Sequence, residues 1–474
     1  MDIKAMSCMP DTTLREVLEI IDKNAKGIAF VTDSAEKLEG VVTDGDIRRG
    51  LIHKNISLDS PISLCMNTEY IYAYTTDNLD EIARRFDRKI AYIPILDDAA
   101  RLIDCYECKM SINIPIARPE LGGNELKYLT EAFVSTWISS TGKYIDQFEE
   151  RFSSYCGTIY GVAVSNGTTA LHLALAALGI KEGDEVIVPD LTFAATINAV
   201  LYTGATPVIV DIEEDSWCID PSEIEKAINS RTKAIIPVHI YGQPCEMDRI
   251  MEIAERNNLY VIEDCAEAHG AEYKGKKVGS FGTIGCFSFY ANKVITTGEG
   301  GMCLTNDEML NEKMRLLRDH GMSKQRKYYH AMVGYNYRMT NMQAAIGVAQ
   351  LERIGEMHRW RCDLEQNYRV AVENIKGLEM QRNDLPNRKK TTWLISAIMP
   401  EEKRGRFIDR MKEEGIDIRP FFIPLSHMEI YEKYTFSNAV STKISCRGIN
   451  FPTISTVSES TIHLIAQMLE EICN

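Results

Sequence analysis

Lys293 is the first candidate for chemistry, because it lies in an apolar segment, CFSFYANKVITTGEGG, in which aromatic side chains precede it and glycines follow it. Burial lowers the pKa of a lysine, and the neutral amine can attack a carbonyl group to form a Schiff base. A surface lysine beside a glycine turn would have the same local composition. Lys293 therefore needs a chemical partner elsewhere in the chain before it can be given a role.

Asp264 is such a partner. With Glu263, it ends the apolar segment LYVIEDCA, which has the composition of a buried strand. A buried carboxylate is costly unless a cation or hydrogen bonds satisfy it, and the protonated ring nitrogen of pyridoxal phosphate (PLP) would be a suitable cation. Lys293 follows 29 residues later, which leaves room for one chain reversal. The spacing therefore allows both groups to reach one pocket.

A phosphate site is expected at SNGTT, Ser165 to Thr169, which lies between the predicted strand YGVAVSN and a strong helical pattern. The free amides and the dipole at a helix start attract anions. Many strand-to-helix turns contain Gly and Thr, so this motif alone is weak. The strand-end motifs with Asp, Ser and Lys nevertheless follow the order that a fold-type I PLP enzyme requires.

The elements around these motifs alternate between strand and helix patterns. The predicted strands are YGVAVSN, DEVIVPD, TPVIVDI, KAIIPVHIYG, LYVIEDCA and GGMCLTND. Strands that are apolar on both faces and alternate with helices indicate an α/β fold with a mainly parallel sheet, in which ligands bind at the carboxyl ends of the strands. We assign residues 112–350 to this large domain.

A C-terminal α+β subdomain is predicted over residues 351–474. It opens with one long helical pattern, LERIGEMHRWRCDLEQNYRVAVENI, and continues with shorter helix and strand patterns. At the other end, residues 1–110 contain two short units with the same order of elements, about 60 residues apart, which indicates an internal repeat.

The large domain and the C-terminal subdomain together resemble the DegT/DnrJ/StrS family of sugar aminotransferases. The segments EDCAEAHGA, FSFYANKVITTGEGGM and GYNYRMTNMQAAIGVAQL carry the resemblance, which covers about residues 112 to 474. It implies the fold-type I PLP transferase fold. It also favours transamination over dehydration, because dehydratase relatives have His where this chain has Lys293.

The family resemblance implies a role for each matching residue. Lys293 would form the Schiff base with PLP and move a proton, Asp264 would pair with the pyridine nitrogen, and Glu267, where many members have Gln, would contact the ring hydroxyl. The other implied contacts are Gly167, Thr168 and Ser288 to the phosphate, Phe193 to the ring face, and Asn336 to the phosphate of a neighbouring subunit. A homodimer or a larger oligomer follows from the last of these. Without the resemblance, each residue would have an ordinary structural interpretation.

The substrates implied by the resemblance are L-glutamate and a nucleotide-linked keto sugar. FSFYANKVITTGEGGM and GYNYRMTN are most similar to members that aminate GDP-4-keto-6-deoxymannose. Members that act on UDP-linked sugars have similar motifs, so both carriers stay open, as does a protein that senses a nucleotide without turnover. Lys143, His330 and Arg419 resemble positions that line the sugar-nucleotide pocket, although surface salt bridges would explain these residues equally well.

The N-terminal repeat resembles a tandem CBS module, chiefly through GVVTDGDIRRGL. In that family the Thr-x-x-Asp pattern, here Thr43 and Asp46, contacts a bound regulatory nucleotide. The same two residues would also serve as a turn and helix cap in a module that only packs subunits together. The sequence does not separate these two interpretations.

Bulk composition excludes several classes of protein. The chain has 53 Lys and Arg against 68 Asp and Glu, a net charge of −15, which argues against binding nucleic acid or anionic lipid. No apolar run is long enough to cross a membrane, and the start lacks the layout of a signal peptide, so we expect a cytoplasmic protein. The 13 cysteines lack a disulfide or metal spacing. We expect reduced thiols and no metal.

Overall fold

The computed structural model describes residues 3–24, 26–53, 56–78, 82, 85, 90, 92–107, 114–323, 325–326 and 328–473. The chain forms two compact units, Met1–Asn113 and Ile114–Asn474. No helix in these described ranges combines the length and the apolar character that a membrane crossing needs.

The N-terminal unit contains two small sheets with the same design. The first sheet has strands Ser7–Cys8 (β1), Ile28–Thr32 (β2) and Leu38–Thr43 (β3), with helices Leu14–Asn24 (α1) and Asp44–His53 (α2). The second has Ala73–Tyr74 (β4), Tyr92–Leu96 (β5) and Leu102–Glu107 (β6). In each sheet the first strand is parallel to the second, and the second is antiparallel to the third. The repeat found in the sequence is therefore also a repeat of topology.

Apolar side chains from both sheets form a common core in this unit, including Phe30 from β2, and Leu96 and Leu102 from the second sheet. Helix α1 buries Leu14, Val17 and Ile21, at the spacing that a helix with one apolar face requires. The helix predicted at NLDEIARRFDRK lies mostly outside the described residues. Cys105 is buried, and Cys108 lies outside the described residues.

The large sheet of the second unit joins seven strands within the described residues. In chain order the strands of this region are Tyr160–Val164 (β7), Glu185–Pro189 (β8), Thr206–Val210 (β9), Thr232–Ile235 (β10), Tyr260–Asp264 (β11), Glu272–Tyr273 (β12), Lys276–Lys277 (β13), Ile284–Ser288 (β14) and Gly301–Thr305 (β15). The sheet order is β7-β15-β14-β11-β10-β8-β9, and β15 is antiparallel to both its neighbours. All six strands predicted from the sequence are present. Strand β14 is a further buried strand that was not predicted from the sequence.

Helices cover both faces of this sheet, as the mainly parallel prediction requires. Val162 and Val164 pack into one apolar cluster, and Ala163 between them packs into another on the opposite face. The helices are Glu125–Val134 (α3), Lys143–Cys156 (α4), Gly167–Leu178 (α5), Ala195–Tyr202 (α6), Pro221–Ala227 (α7), Met247–Asn257 (α8), Glu308–Arg318 (α9) and Asn341–Glu352 (α10).

The C-terminal region is built around a four-stranded antiparallel sheet within the described residues. Its elements are Ile354–Val372 (α11), Glu379–Met380 (β16), Arg388–Lys389 (β17), Ile395–Ile398 (β18), Glu401–Glu413 (α12), Arg419–Pro420 (β19), Ala439–Ser445 (α13), Gly448–Phe451 (β20) and Glu459–Cys473 (α14). The sheet order is β16-β18-β20-β19. Strand β17 pairs instead with β12.

The single long helix predicted from Leu351 is wrong at its start. Helix α10 begins at Asn341, where Thr340 and Gln343 form a capping box, and it ends before Arg353. The backbone of Arg353 leaves the helical conformation, with φ of −107° and ψ of 6°, and helix α11 follows immediately. At the break, the backbone amide of Arg353 donates to the carbonyl oxygens of Gln350 and Leu351 and so closes α10, while its side chain pairs with Glu356 at 2.7 Å.

Candidate functional site

Three strand ends meet at one edge of the large sheet. Asp264 ends β11 and Ser288 ends β14, and these two strands are parallel neighbours. Gly301 of β15 pairs with both Ser288 and Val164, so the end of β7 is brought to the same edge. Helix α5 starts just beyond it at Gly167. The topology therefore brings the SNGTT, Asp and Ser motifs together, as the sequence predicted.

The start of helix α5 is suited to hold a phosphate group. Asn166 caps the helix by accepting from the Thr169 amide at 2.9 Å, and the Thr169 hydroxyl accepts from the Asn166 amide. The amides of Gly167 and Thr168 precede the first intrahelical bond, and no acceptor for them occurs in the described part of the chain. A side chain at position 167 would place a Cβ 2.7 Å from the Cβ of Ser288. Glycine therefore keeps open a cradle that a phosphate would fill.

Asp264 is buried and oriented by hydrogen bonds from both sides. Its Oδ2 accepts from the Thr196 hydroxyl at 2.9 Å, and its Oδ1 accepts from the Ala266 amide at 3.1 Å. Burial raises the pKa of Asp264, while these bonds and the charge of Lys293 act in the opposite direction. A carboxylate held in this way favours a cation nearby, and the protonated nitrogen of a pyridine ring would fit that requirement.

Lys293 lies beside a second buried carboxylate. Its Nζ is 3.8 Å from Oε1 of Glu267, and only 11% of its side chain is exposed. Burial lowers the pKa of Lys293 and raises the pKa of Glu267 to about 7. Glu267 Oε2 accepts from the backbone amide of Tyr241 at 2.8 Å. The pair thus provides a mostly buried amine next to a carboxyl group that can exchange a proton near neutral pH.

Phe193 lies in the turn after β8, and 60% of it is exposed. Its ring is 5.8 Å from that of Phe422, measured between centroids, and its carbonyl oxygen accepts from the Thr196 amide. Because Thr196 binds Asp264, this turn and the carboxylate are connected. An exposed ring at this position could stack on a planar ligand.

Four other predicted residues lie on the surface with local partners. Asn336 is exposed and accepts from Arg338, and His330 Nδ1 is 2.9 Å from the carbonyl oxygen of His320. Lys143 pairs with Glu131 at 3.0 Å, and Arg419 pairs with Asp417 at 3.1 Å. Within the described chain, no hydrogen bond or ion pair joins these four to Lys293, Asp264 or Ser288. Their roles stay predictions.

Sequence reasoning missed three residues that contact the site. Thr196 orients Asp264, Tyr241 binds Glu267, and the ring of Trp393 lies 3.7 Å from Nζ of Lys293. Tyr241 has a positive φ of 50° and precedes a glycine, which is a turn signal but carries no chemical meaning by itself. Trp393 is 100 residues from Lys293 in the chain, and no local pattern connects them.

One buried cluster in the described ranges has the residue types of a metal site, namely His239, Glu263 and Cys265. Glu263 is already fully engaged, since its two oxygens accept from His239 and three backbone amides. These amides belong to Gly279, Phe281 and Gly282. Glu263 therefore holds the backbone of this loop, and neither of its oxygens is free to bind a metal ion.

Comparison with known proteins assigns the second unit. Residues 119–470 match the DegT/DnrJ/EryC1/StrS aminotransferase family. The chain belongs to this family. Members are PLP-dependent, and a sugar aminotransferase of Streptococcus pneumoniae has been solved in PLP and PMP forms. This chain is accordingly a PLP-dependent aminotransferase.

The similarity to family members extends over almost their whole length. A GDP-perosamine synthase of Escherichia coli O157:H7 is 44% identical over 359 residues, 76% of this chain and 98% of that protein. One from Caulobacter vibrioides is 45% identical over 363 residues, again 76% and 98%. Among solved structures, an aminotransferase from Psychrobacter cryohalolentis is 34% identical, with a TM-score of 0.70 and coverage of 75% of this chain and 98% of that one.

The N-terminal unit contains a CBS domain, matched over residues 1–53. Within it, Thr43 and Asp46 form a helix cap. The Thr43 amide and hydroxyl both donate to Oδ2 of Asp46, at 2.9 and 2.7 Å, and Arg49 donates to Oδ1 at 2.7 Å. The capping interpretation of these residues is therefore observed directly. A contact with a nucleotide stays a prediction.

Proposed function

We propose that this aminotransferase transfers the amino group of L-glutamate to GDP-4-keto-6-deoxymannose and so forms GDP-perosamine. The observation that carries the proposal is a mostly buried Lys293 beside Glu267 in a chain that spans 98% of two GDP-perosamine synthases at 44% and 45% identity. A UDP-linked 4-keto sugar is the alternative substrate, since related enzymes with similar motifs use that carrier. We expect the enzyme to act in the cytoplasm.

The cofactor contacts that we propose follow the geometry of the sheet edge. The amides of Gly167 and Thr168, together with the Ser288 hydroxyl, would bind the phosphate. Asp264 would hold the ring nitrogen in its protonated form. In addition, Glu267 would bind the ring hydroxyl, and Phe193 would cover one face of the ring. When bound, PLP supplies an electron sink that stabilises negative charge on the carbon that loses a proton.

Lys293 would move the proton between the substrate carbon and the cofactor. Burial lowers the pKa of its amine, so a larger fraction is neutral and able to accept a proton near neutral pH. The carboxyl group of Glu267, 3.8 Å away, would stabilise the ammonium form after the proton has been accepted. The mostly buried position limits the access of water, which favours return of the proton to substrate.

A second copy of the chain is expected to complete each site. Asn336 is exposed and its side chain accepts from Arg338 two residues away, while Val333 nearby is 90% exposed. These features support a homodimer in which Asn336 reaches the phosphate bound by its partner.

Mixing the inactive variants Lys293→Ala and Asn336→Ala would then create one intact site in each mixed dimer, restoring about a quarter of the wild-type activity. No recovery would show that Asn336 acts within its own subunit or not at all.

A nucleotide-sensing protein without turnover is the rival from another class. Intact Lys293, Asp264 and Ser288 count against it, because a sensor would not need the complete set. The rival predicts that glutamate leaves the cofactor absorbance unchanged, whereas an aminotransferase loses the band of the lysine-bound cofactor. Release of 2-oxoglutarate would also exclude an enzyme that cleaves amino-acid side chains.

The test of the substrate uses ¹⁵N-labelled glutamate with either GDP-4-keto-6-deoxymannose or a UDP-linked 4-keto sugar. Mass spectrometry of the products should show the label in the GDP-linked amino sugar. Labelling of the UDP sugar alone would replace the proposed carrier while keeping the reaction. Labelling of neither sugar would reject both substrates.

For the N-terminal unit we propose a tandem CBS module that binds a regulatory nucleotide at Thr43 and Asp46. The repeated topology of the two sheets supports the tandem arrangement, and the CBS match supports a nucleotide ligand. Calorimetry of the full-length enzyme with adenine and guanine nucleotides tests this. Absence of heat with every nucleotide would leave the module only a packing role.

A further inference from the structure

Trp393 precedes strand β18 and contacts the amine of Lys293. The centroid of its ring lies 3.7 Å from Nζ, and the residue is 3% exposed. An ammonium group within about 6 Å of an indole face is attracted by the negative charge density of the ring. Trp393 therefore provides one wall of the lysine environment, and Glu267 provides another.

Three contacts hold Trp393 in place, two through its ring and one through its backbone. Its Nε1 donates to the carbonyl oxygen of Asn292, the residue before Lys293, at 2.8 Å. The carbonyl oxygen of Trp393 accepts from Arg361 at 2.9 Å. The ring is also nearly parallel to that of Tyr241, with 16° between the planes and 6.2 Å between centroids. The indole is thus tied to the backbone beside the lysine and cannot rotate away independently.

Arg361, which contacts Trp393, is a buried guanidinium group whose burial costs free energy. It is 2% exposed, burial lowers its pKa to about 10, and no ion pair to it occurs in the described part of the chain. A buried guanidinium without a carboxylate is expensive, so its contacts are informative. These are the carbonyl oxygen of Trp393 and the ring of Trp360, 4.4 Å from the guanidinium carbon.

Trp393 and Glu267, which both contact Lys293, are also connected to each other through Tyr241. Trp393 stacks on Tyr241, the Tyr241 amide donates to Glu267, and Glu267 lies 3.8 Å from the lysine amine. The other titratable groups that act on Lys293 or respond to its charge are Asp264 and His269. Since Trp393 and Glu267 both contact Tyr241, movement of either residue would disturb the other.

We propose that Trp393 is a positioning residue whose indole face holds the free ammonium group of Lys293 while this lysine is separated from the cofactor. The inference deepens the proposed function and rests on the role given there to Lys293. The face keeps the amine within reach of the reacting carbon, and the attraction between ring and ammonium offsets part of the effect of burial.

The variants Trp393→Leu and Trp393→Phe separate the aromatic face from the indole N–H. Leu removes both, and Phe keeps a weaker face. Trp217→Phe is the matched control, because Trp217 is equally buried at 3% but packs against Phe421 instead of Lys293. Thermal unfolding of all three variants checks that they are folded at the assay temperature.

The first measurement follows acylation of Lys293 by acetic anhydride in the full-length apoenzyme, as a function of pH, with peptide mass spectrometry. Loss of the face should lower the pH midpoint in Trp393→Leu by on the order of half to one pH unit. Trp393→Phe should shift less, and Trp217→Phe should not shift. An unchanged or raised midpoint in Trp393→Leu would overturn the proposal.

The second measurement compares kcat and KM in the holoenzyme. Trp393→Leu should lower kcat by about tenfold or more with little change in KM for the sugar, since misplacement of a reacting group affects the chemical step. Rescue by Trp393→Phe to within about threefold is expected if the face is what matters. If Trp393→Leu matches Trp217→Phe in both experiments, Trp393 only fills the core. A shifted acylation midpoint with no product from either sugar would instead reject the proposed substrates and keep this inference.

Discussion

Two helices, one in each unit, begin with the same hydrogen-bonding device but with different charges. Helix α2 is capped by Thr43 and Asp46, and helix α5 is capped by Asn166 and Thr169. The first turn of α2 carries Asp44 and Asp46, whereas the first turn of α5 has no acidic residue. A phosphate would meet two carboxylates at α2 and two uncharged amides at α5.

The comparison shows that a capped helix start does not by itself make an anion site. At α5, Ser288 from a neighbouring strand closes the cradle, and Gly167 keeps the space open. At α2, Arg49 already occupies the free oxygen of Asp46. The phosphate site at α5 therefore combines unused amides, a neutral first turn and a donor from a second element, whereas a nucleotide at Thr43 and Asp46 would have to meet these two residues through an uncharged part such as its ribose.

The largest expected difference between the two units is the loss of turnover when a lysine is replaced by alanine. Lys293→Ala should reduce turnover by at least about a thousandfold, because the proposed mechanism assigns both the cofactor and the proton to this lysine. Lys26→Ala, which breaks a partly buried pair with Glu107 at 2.8 Å in the N-terminal unit, should leave kcat within about twofold. Steady-state assays on folded samples check both. Ordinary activity in Lys293→Ala would reject the role of this residue.

Matched glycine substitutions sharpen the comparison of the two helix starts. Gly167→Ala would force its Cβ against Ser288, so we expect the dissociation constant for PLP to rise by about tenfold or more. In α2, the Cβ of Gly45→Ala would meet the flexible end of Arg49 at 3.2 Å and, at the ordinary contact distance of 3.5 Å, the hydroxyl oxygen of Thr43, so it should stabilise that helix by up to about 1 kcal/mol. Spectroscopic titration of the apoenzymes measures PLP binding. Equal affinities in both variants would contradict the cradle.

Burial of Glu267 should make the stability of the catalytic unit depend on pH. The pKa of Glu267 is raised from 4.5 to about 7, so the folded apoenzyme retains a proton that the unfolded chain releases. Stability contributed in this way is lost as the pH rises from 4.5 to 7. Relative to Glu267→Gln, whose amide oxygen can still accept from Tyr241, the wild type should lose about 1 to 3 kcal/mol of unfolding free energy across this range. Urea unfolding at each pH would contradict this if the two curves stayed parallel.

The smallest expected effect is at the cap of α2. Asp46→Ala removes an N-terminal hydrogen-bond acceptor and should destabilise the N-terminal unit by about 1 kcal/mol without changing PLP affinity. Hydrogen exchange of α2 measures the first quantity, and cofactor titration measures the second. A fall in PLP affinity would mean that the two helix starts are not independent.

The parts of the fold that follow from local pattern were predictable from the sequence. Buried strands such as β8 and β11 have continuous apolar runs, and their carboxyl ends carry the polar groups that the sheet brings together. Asp264, Ser288 and Gly167 could therefore be proposed as site residues from the sequence, and the sheet topology brings them to one edge. The antiparallel direction of β15 and the break at Arg353 depend on pairing and capping, which apolar periodicity does not report.

The rest of the site depends on contacts between distant parts of the chain. Trp393 reaches Lys293 because a strand of the C-terminal region begins there, and Thr196 reaches Asp264 across 68 residues. Tyr241 acts through its backbone amide, which any residue other than proline would supply. Such residues have no signature in sequence. Other residues were predicted from the sequence, but a single chain does not contain their predicted partners, which are a second subunit and the sugar nucleotide. These residues are the exposed Asn336, His330, Arg419 and Lys143.

The most direct test of the account is to reduce the holoenzyme with sodium borohydride, which fixes the cofactor on the amine that carries it, and to locate the label by peptide mass spectrometry. We expect a label on Lys293 that is lost when the enzyme is first treated with glutamate and freed of excess. A label on another lysine, such as the buried Lys390 with 5% of its side chain exposed, would contradict it.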